Sequence, residues 1–174
     1  FRSNGRGSFN VLSPPFGPLP NNIIAILNFC DWTRISVDAG NANMYKQTHG
    51  MDEKSWEKVI GTLNDLMFLK KTSSLNCIVG LGYLTGRDTS SLQEMEDFVK
   101  LAVKLDVDYA QFRPFHKDFT DIMDKFTILR EKYGNILTAS WQKYSRFSDK
   151  DKRPYDKCYG VNFATTIGAN GDMF

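Results

Sequence analysis

Apolar residues along this chain follow two spacings in turn, and each spacing predicts a different element. In the stretch 32–38, Thr33, Ile35 and Val37 fall on one face while Arg34 and the polar residues beside it fall on the other. That alternation is typical of a β-strand. Elsewhere the apolar residues recur every three or four positions, as they do along one face of a helix. The two spacings alternate along most of the chain.

The pattern predicts four strands and four helices. The strands are expected over 32–38, 75–84, 107–114 and 136–144, and the helices over 23–29, 52–71, 91–105 and 122–133. Asp52 is a candidate N-cap, and Ser91 with Glu94 has the spacing of a capping box. Gly134 follows the last helix as a C-terminal cap. The segment 6–20 holds four of the six prolines and is predicted to be a loop.

Strand and helix repeat about every 30 residues, which is typical of a parallel α/β sheet. Such a sheet can be an open doubly wound sheet or a (β/α) barrel. Polar or small residues recur near the ends of three successive strands, and they favour a barrel with a ligand above it. These residues are Arg34, Ser36 and Asp38, then Asn76, Gly80 and Gly82, then Gln111 and Arg113. The predicted fold class is therefore α/β, a partial (β/α) TIM-type barrel.

Composition narrows the class of protein. The 174 residues suit one domain with a substantial core. The formal net charge of +2 gives no indication of nucleic acid as a partner. No apolar run is long enough to span a membrane, and no leader opens the chain. The cysteines Cys30, Cys77 and Cys158 cannot all pair, so we expect a reducing, cytoplasmic location.

The two ends suggest a piece of a longer protein. Residue 1 is Phe rather than Met, and 164–174 has the pattern of a hairpin turning at Asn170-Gly171 and stopping in its second strand. We expect 1–145 to form the partial barrel and 146–174 to form a linker and the start of a C-terminal module. A barrel without its first strands exposes an unpaired edge, which predicts self-association through that edge.

Several stretches resemble one family when taken together. They are Trp32 to Gly40 with Tyr45 and His49-Gly50, then Asp108 to Pro114, then Ser3-Asn4-Gly5, and finally Cys158 with the segment 171–174. Their order and spacing resemble radical S-adenosylmethionine enzymes from the third barrel strand onward. The last stretch is similar to the opening of the SPASM or twitch type of auxiliary-cluster module.

The resemblance implies that S-adenosylmethionine binds at the strand ends. Ser36 and Asp38 would hydrogen-bond its ribose or amino-acid part, and Gly80 and Gly82 would let the adenine approach the backbone. Arg113 would reach a carboxylate or the substrate. The residues implied to bind the cofactor are Asn4, Gly5, Ser36, Asp38, Gly80, Gly82 and Arg113.

In that family a [4Fe–4S] cluster cleaves S-adenosylmethionine to a 5′-deoxyadenosyl radical, which abstracts hydrogen from the substrate. The resemblance implies a small-molecule or peptide substrate and gives Cys158 the role of ligand to an auxiliary Fe–S cluster. The family's Cys-x-x-x-Cys-x-x-Cys loop for the catalytic cluster is absent from the sequence. We therefore expect this stretch alone to be inactive and its full-length protein to be an enzyme.

Other interpretations stay open from sequence. Ser36 and Asp38 could instead bond neighbouring strands, Gly80 and Gly82 could mark tight packing, and Arg113 could pair with a surface carboxylate. The whole chain could be a non-catalytic barrel that binds a small ligand or a protein. An unrelated barrel hydrolase would use Asp38 with a second carboxylate, but no acidic residue lies at a neighbouring strand end in register.

Overall fold

Within the part of the chain that the structure describes, five parallel strands form a single sheet in the order β1-β2-β3-β4-β5. The computed structural model describes residues 7–11, 23–115, 118 and 120–145. The strands are β1 (Gly7–Val11), β2 (Cys30–Ser36), β3 (Ile78–Thr85), β4 (Tyr109–Pro114) and β5 (Leu137–Ala139). Each strand pairs in parallel with the next one along the chain. This confirms the predicted α/β class and its partial (β/α) barrel.

Helices connect the strands, as parallel pairing requires. They are α1 (Ile23–Phe29), α2 (Ala42–His49), α3 (Glu53–Thr72), α4 (Leu92–Leu105), α5 (Met123–Tyr133) and α6 (Trp141–Ser145). Asp52 caps α3 by accepting the backbone N–H of Ser55 at 2.9 Å, and Ser91 with Glu94 forms the predicted capping box of α4. None of the helices in the described ranges is long and apolar enough to cross a membrane.

The outer face of the sheet, which carries Ile35, Leu81 and Phe112, packs against the helices and forms the core. Tyr83, Phe98 of α4 and Phe112 are fully buried there, with ring centroids 5.0 to 5.8 Å apart. Burial of each such side chain contributes about 1.5–3 kcal/mol relative to exposure. The opposite face, here called the inner face, carries Arg34, Gly82 and Gln111 by register. The polar side chains that the sequence placed on one strand face therefore share one side of the sheet.

Helix α2 was not predicted from the sequence. Asn41 caps it by accepting the backbone N–H of Met44 at 3.0 Å, and Gly50 ends it with a φ of 67°. The segment is short, and only Met44 and Tyr45 within it are buried, so no apolar stripe was visible. Its cap is local chemistry that the sequence does contain.

Strand β1 corrects the prediction of a loop over 6–20. Gly7–Val11 pairs with β2, with Phe9 opposite Thr33 and Val11 opposite Ile35. The prolines that suggested a loop all follow Val11. The hydrogen bonds that hold β1 come from a strand more than 20 residues away, so tertiary pairing decides its conformation.

The last predicted strand, 136–144, is also corrected. Only Leu137–Ala139 is a strand, and Ser140 then begins a turn into α6, whose Tyr144 donates its backbone N–H to the Ser140 carbonyl at 3.2 Å. Trp141 packs edge-on against Phe126 with centroids 4.9 Å apart. Trp141 therefore packs onto α5 from a helix rather than from a strand. The segment 146–174, with Cys158 and the expected hairpin, lies outside the described residues.

Candidate functional site

A cavity of ≈ 350 Å³ lies at the carboxyl ends of β2 and β3. Its floor is Asp38 and Leu84, which follow or end these strands, and one wall is helix α2. Ligands of parallel α/β folds bind at this edge because the loops that follow the strands converge there. The cavity therefore lies at the strand ends, but of the described residues predicted to bind the ligand only Asp38 lines it.

Asp38 is fixed by its own backbone and by the neighbouring strand. Its φ of 53° turns the chain out of β2, and its Oδ1 accepts the backbone N–H of Leu84 at 2.7 Å. Left-handed backbone is tolerated by Asp better than by most residues. The interpretation that Asp38 bonds a neighbouring strand is thus confirmed, and Asp38 also lines the cavity.

Burial dominates the electrostatics of Asp38 and raises the pKa of its carboxyl group, because the charged form loses water. The Leu84 N–H, the positive potential of His49, a hydrogen bond from Ser36 and the charge of Arg113 act in the opposite direction. The structure therefore brings Ser36, Asp38 and Arg113 into one electrostatic neighbourhood. His49 is held beside them, with Nε2 3.0 Å from the carbonyl oxygen of Val37.

The loop after β3 supplies the second wall and the carboxyl group of Asp88, and the first turn of α4 adds that of Glu94. Thr89 holds this loop in place: its Oγ1 donates to the Leu84 carbonyl at 3.0 Å and accepts the Gly86 N–H at 2.9 Å. The Tyr83 hydroxyl donates to the Thr89 carbonyl at 2.8 Å. The cavity wall is therefore anchored to the core, and its charge is mainly negative.

Gly80 and Gly82 lie on the inner face below the cavity, each beside the side chain of another residue. A Cβ on Gly80 would overlap the ring of Tyr109, and a Cβ on Gly82 would lie 3.4 Å from Cδ of Arg34. The interpretation of tight packing is confirmed for Gly80, whereas a Cβ on Gly82 would make only an ordinary contact. Their implied contact with adenine stays a prediction, and at Gly80 it would require Tyr109 to move aside.

Arg113 ends β4 on the same inner face. Its Nε is buried and has no hydrogen-bond partner among the described residues. None of the ion pairs in the described ranges includes it, so pairing with a surface carboxylate is not observed there. Asn4 and Gly5, the other residues implied to bind the cofactor, lie outside the described residues.

Sequence reasoning missed the wall formed by α2 and the loop after β3. Thr48 and His49 line the cavity because α2 turns back over the end of β2, and Asp88 lines it from the opposite side. The cap at Asn41 was the signal for α2, and a helix placed there would have brought His49 to the strand end. No comparable signal marks Asp88, whose position depends on the anchored loop.

The described residues do not form a metal centre. Within them, His, Cys, Asp and Glu nowhere gather in a group of three or more that could hold an ion. Cys30 and Cys77 lie at the amino ends of β2 and β3, at the opposite edge from the cavity. Burial raises the pKa of Cys77 to about 11, which opposes the thiolate that iron requires. These residues do not fit an Fe–S cluster.

Two solved structures share this fold. Crystal structures of SuiB from Streptococcus suis, one of them bound to S-adenosylmethionine, align with TM-scores of 0.52 for the bound form and 0.53 for the other, each at 9% sequence identity. The alignments cover 76% of this chain and 30% and 32% of those chains, so this chain spans about a third of their length. No family model matches the sequence. No curated protein matches it either.

Proposed function

We propose that this chain forms the S-adenosylmethionine-binding part of a radical S-adenosylmethionine enzyme. The observation that carries the proposal is the cavity at the carboxyl ends of β2 and β3, with the half-buried carboxyl group of Asp38 in its floor. Support comes from the family resemblance of the segments 32–50 and 108–114. Further support comes from the fold shared with a protein that was solved with S-adenosylmethionine bound.

The residues around the cavity fit such a ligand. S-adenosylmethionine carries a positive sulfonium and a positive amino group, and Asp38, Asp88 and Glu94 line the cavity with carboxyl groups. The hydroxyls of Thr48 and Thr89 add polar lining. A volume of ≈ 350 Å³ lies within the range of about 300–1,000 Å³ usual for small-molecule sites. Charge, polarity and size therefore agree.

Each residue has a definite task in this proposal. Asp38 accepts a hydrogen bond from the ligand with the oxygen that Leu84 does not use, and Ser36 orients that carboxyl group. The loop anchored by Thr89 covers the ligand from one side and excludes water. A reduced iron–sulfur cluster, where present, would supply the electron that lets bound S-adenosylmethionine serve as the source of a hydrogen-abstracting radical. The cluster requires ligands from outside the described residues.

Equilibrium binding of S-adenosylmethionine to the intact protein tests this assignment. Calorimetry should show saturable binding, and Asp38→Ala should weaken it about tenfold or more, as expected for loss of a charge-assisted hydrogen bond. Asp65→Ala is the matched control because Asp65 is exposed on α3, away from the cavity. Equal affinity for wild type and Asp38→Ala would contradict the assignment.

A non-catalytic barrel that binds a small ligand is the second candidate, since the same cavity serves both. The intact protein reconstituted anaerobically with iron and sulfide separates the two. Cleavage of S-adenosylmethionine to methionine supports the enzyme. Binding without cleavage and without an iron chromophore supports the binding module. A small-molecule or peptide substrate is proposed for the enzyme.

A further inference from the structure

The inner face of the sheet carries two arginines that the cavity does not use. Arg34 projects from the middle of β2, and Arg113 projects from the end of β4. Between them β3 contributes Gly80 and Gly82, opposite Arg34 and Ser36 in the register. Because Gly82 has no side chain, Arg34 lies over β3 toward β4. The Tyr109 ring covers Gly80, and Leu84 lies opposite Arg113 in the register.

Arg34 is held in a defined orientation. Its side chain extends over Gly82, with Cδ 3.4 Å and Nε 3.6 Å from the position of a Cβ there. Its Nη1 donates to the Oε1 atom of Gln111 on β4. A guanidinium has five N–H donors, so most of those of Arg34 remain available, and the Gln111 amide nitrogen has no partner among the described residues.

Neither arginine has a carboxylate partner in the described ranges. The ion pairs there involve Lys70, Lys71, Lys100 and Lys132. The Nε of Arg113 is buried and unpartnered. A buried guanidinium donor without an acceptor, such as the Nε of Arg113, is unfavourable unless something supplies one.

The two positive groups also affect each other. Burial lowers the pKa of Arg34 and the nearby charge of Arg113 lowers it further, while Tyr109 and the carboxyl group of Asp38 act in the opposite direction. Like charges on one partly buried surface repel, and an anion between them would remove both the repulsion and the unmet donors.

We propose that Arg34, Arg113 and Gln111 form a subsite for an oxyanion of the substrate, a carboxylate or a phosphate group. Two oxygens of such a group match the planar fork of a guanidinium. The acidic cavity above takes the cationic ligand, and the basic inner face takes the anionic one, so the two sites differ in charge. The identification of this anion as part of the substrate rests on the proposed function.

Anion-induced stabilisation of the intact protein tests the subsite. Inorganic phosphate and malonate serve as the two probes, with sodium chloride at matched ionic strength as the reference, and the melting temperature is followed against probe concentration. At a hundredfold excess over Kd we expect at least one probe to raise Tm by roughly 5–10 °C. The preferred probe distinguishes a phosphate-bearing from a carboxylate-bearing substrate.

Variants assign the effect to these residues. Arg34→Gln and Arg113→Gln should each weaken the probe about tenfold or more, and Arg113→Lys, which keeps the charge but loses the fork, should weaken it by less. Arg87→Gln is the control, since Arg87 is exposed in the loop after β3. No saturable shift beyond sodium chloride, or an equal loss in Arg87→Gln, would overturn the subsite.

Saturation with S-adenosylmethionine separates the two proposals. Unchanged probe affinity in its presence supports a subsite for the substrate. Competition between them would overturn it, because the arginines would then bind the carboxylate of the cofactor. If the probe binds through both arginines but S-adenosylmethionine does not bind at all, the proposed function fails and the anion site stands.

Discussion

Gly40 lies where the loop after β2 touches the backbone of α4, and its replacement tests how the cavity is held. A Cβ at this position would overlap backbone atoms of Asp97 and Phe98 and lie 2.8 Å from Cβ of Asp97. Carbon atoms normally approach to about 3.5–4.0 Å, so Gly40→Ala must push the loop and helix apart. Gly40 does not have a positive φ, so Gly40→Ala would act by steric overlap and not through backbone strain.

The expected cost follows from close packing. Insertion of a methyl group against a fixed backbone lowers the free energy of unfolding by about 1–3 kcal/mol. A protein of this size loses about 2–4 °C of Tm per kcal/mol, so Gly40→Ala should melt about 2–12 °C lower. Asn41 donates to the Asp97 carboxylate at 3.0 Å, and that hydrogen bond should lengthen as well.

Thermal unfolding followed by circular dichroism measures this cost, with Gly61→Ala as the matched control. Gly61 lies on the exposed side of α3 with nothing within 4 Å of a Cβ. The same substitution there should stabilise by about 0.8–1 kcal/mol because Ala favours helix. If Gly40→Ala melts as high as wild type while Gly61→Ala behaves as expected, the described contact between the loop and α4 is wrong.

Three further predictions concern single side chains. Burial raises the folded-state pKa of Asp38, so ionisation of its carboxyl group destabilises the folded protein as pH rises through that pKa. In urea unfolding, Asp38→Asn should therefore gain stability relative to wild type from pH 4 to pH 7, and a constant difference would refute this. Ser91→Ala removes the capping box of α4 and should cost about 1 kcal/mol by the same assay, whereas Ser91→Asp should cost far less. The Glu96 carboxylate accepts hydrogen bonds from Lys132 and Tyr133, which lower its pKa to about 2. NMR titration of Lys132→Ala should show this pKa rising toward its usual value, and no rise would exclude the contact with Lys132.

Local chemistry explains what the sequence predicted correctly. The Asp52 cap and the Ser91–Glu94 box join residues three positions apart, so their spacing alone was sufficient. The alternation of Thr33, Ile35 and Val37 assigned β2 its outer face, and all three are buried. Signals of this kind do not depend on the rest of the chain.

The remaining features depend on distant partners. Gly7–Val11 is a strand because β2 lies beside it. Arg34 reaches Gln111 across 77 positions of sequence, and Leu84 binds Asp38 across 46. Spacing along the chain contains no such pairing, so the strand ends and the face shared by Arg34 and Arg113 could be predicted, while the cavity walls and the contact of Arg34 with Gln111 could not.

Calorimetric comparison of S-adenosylmethionine with S-adenosylhomocysteine tests the central claim most directly. The two ligands share every group except the methyl that makes the sulfur a cation. A cavity lined by Asp38, Asp88 and Glu94 should distinguish them by this charge. We predict saturable binding of S-adenosylmethionine to the intact protein at pH 7, about tenfold or more tighter than S-adenosylhomocysteine. Equal affinity for the two, or no saturable binding of either, would contradict the account.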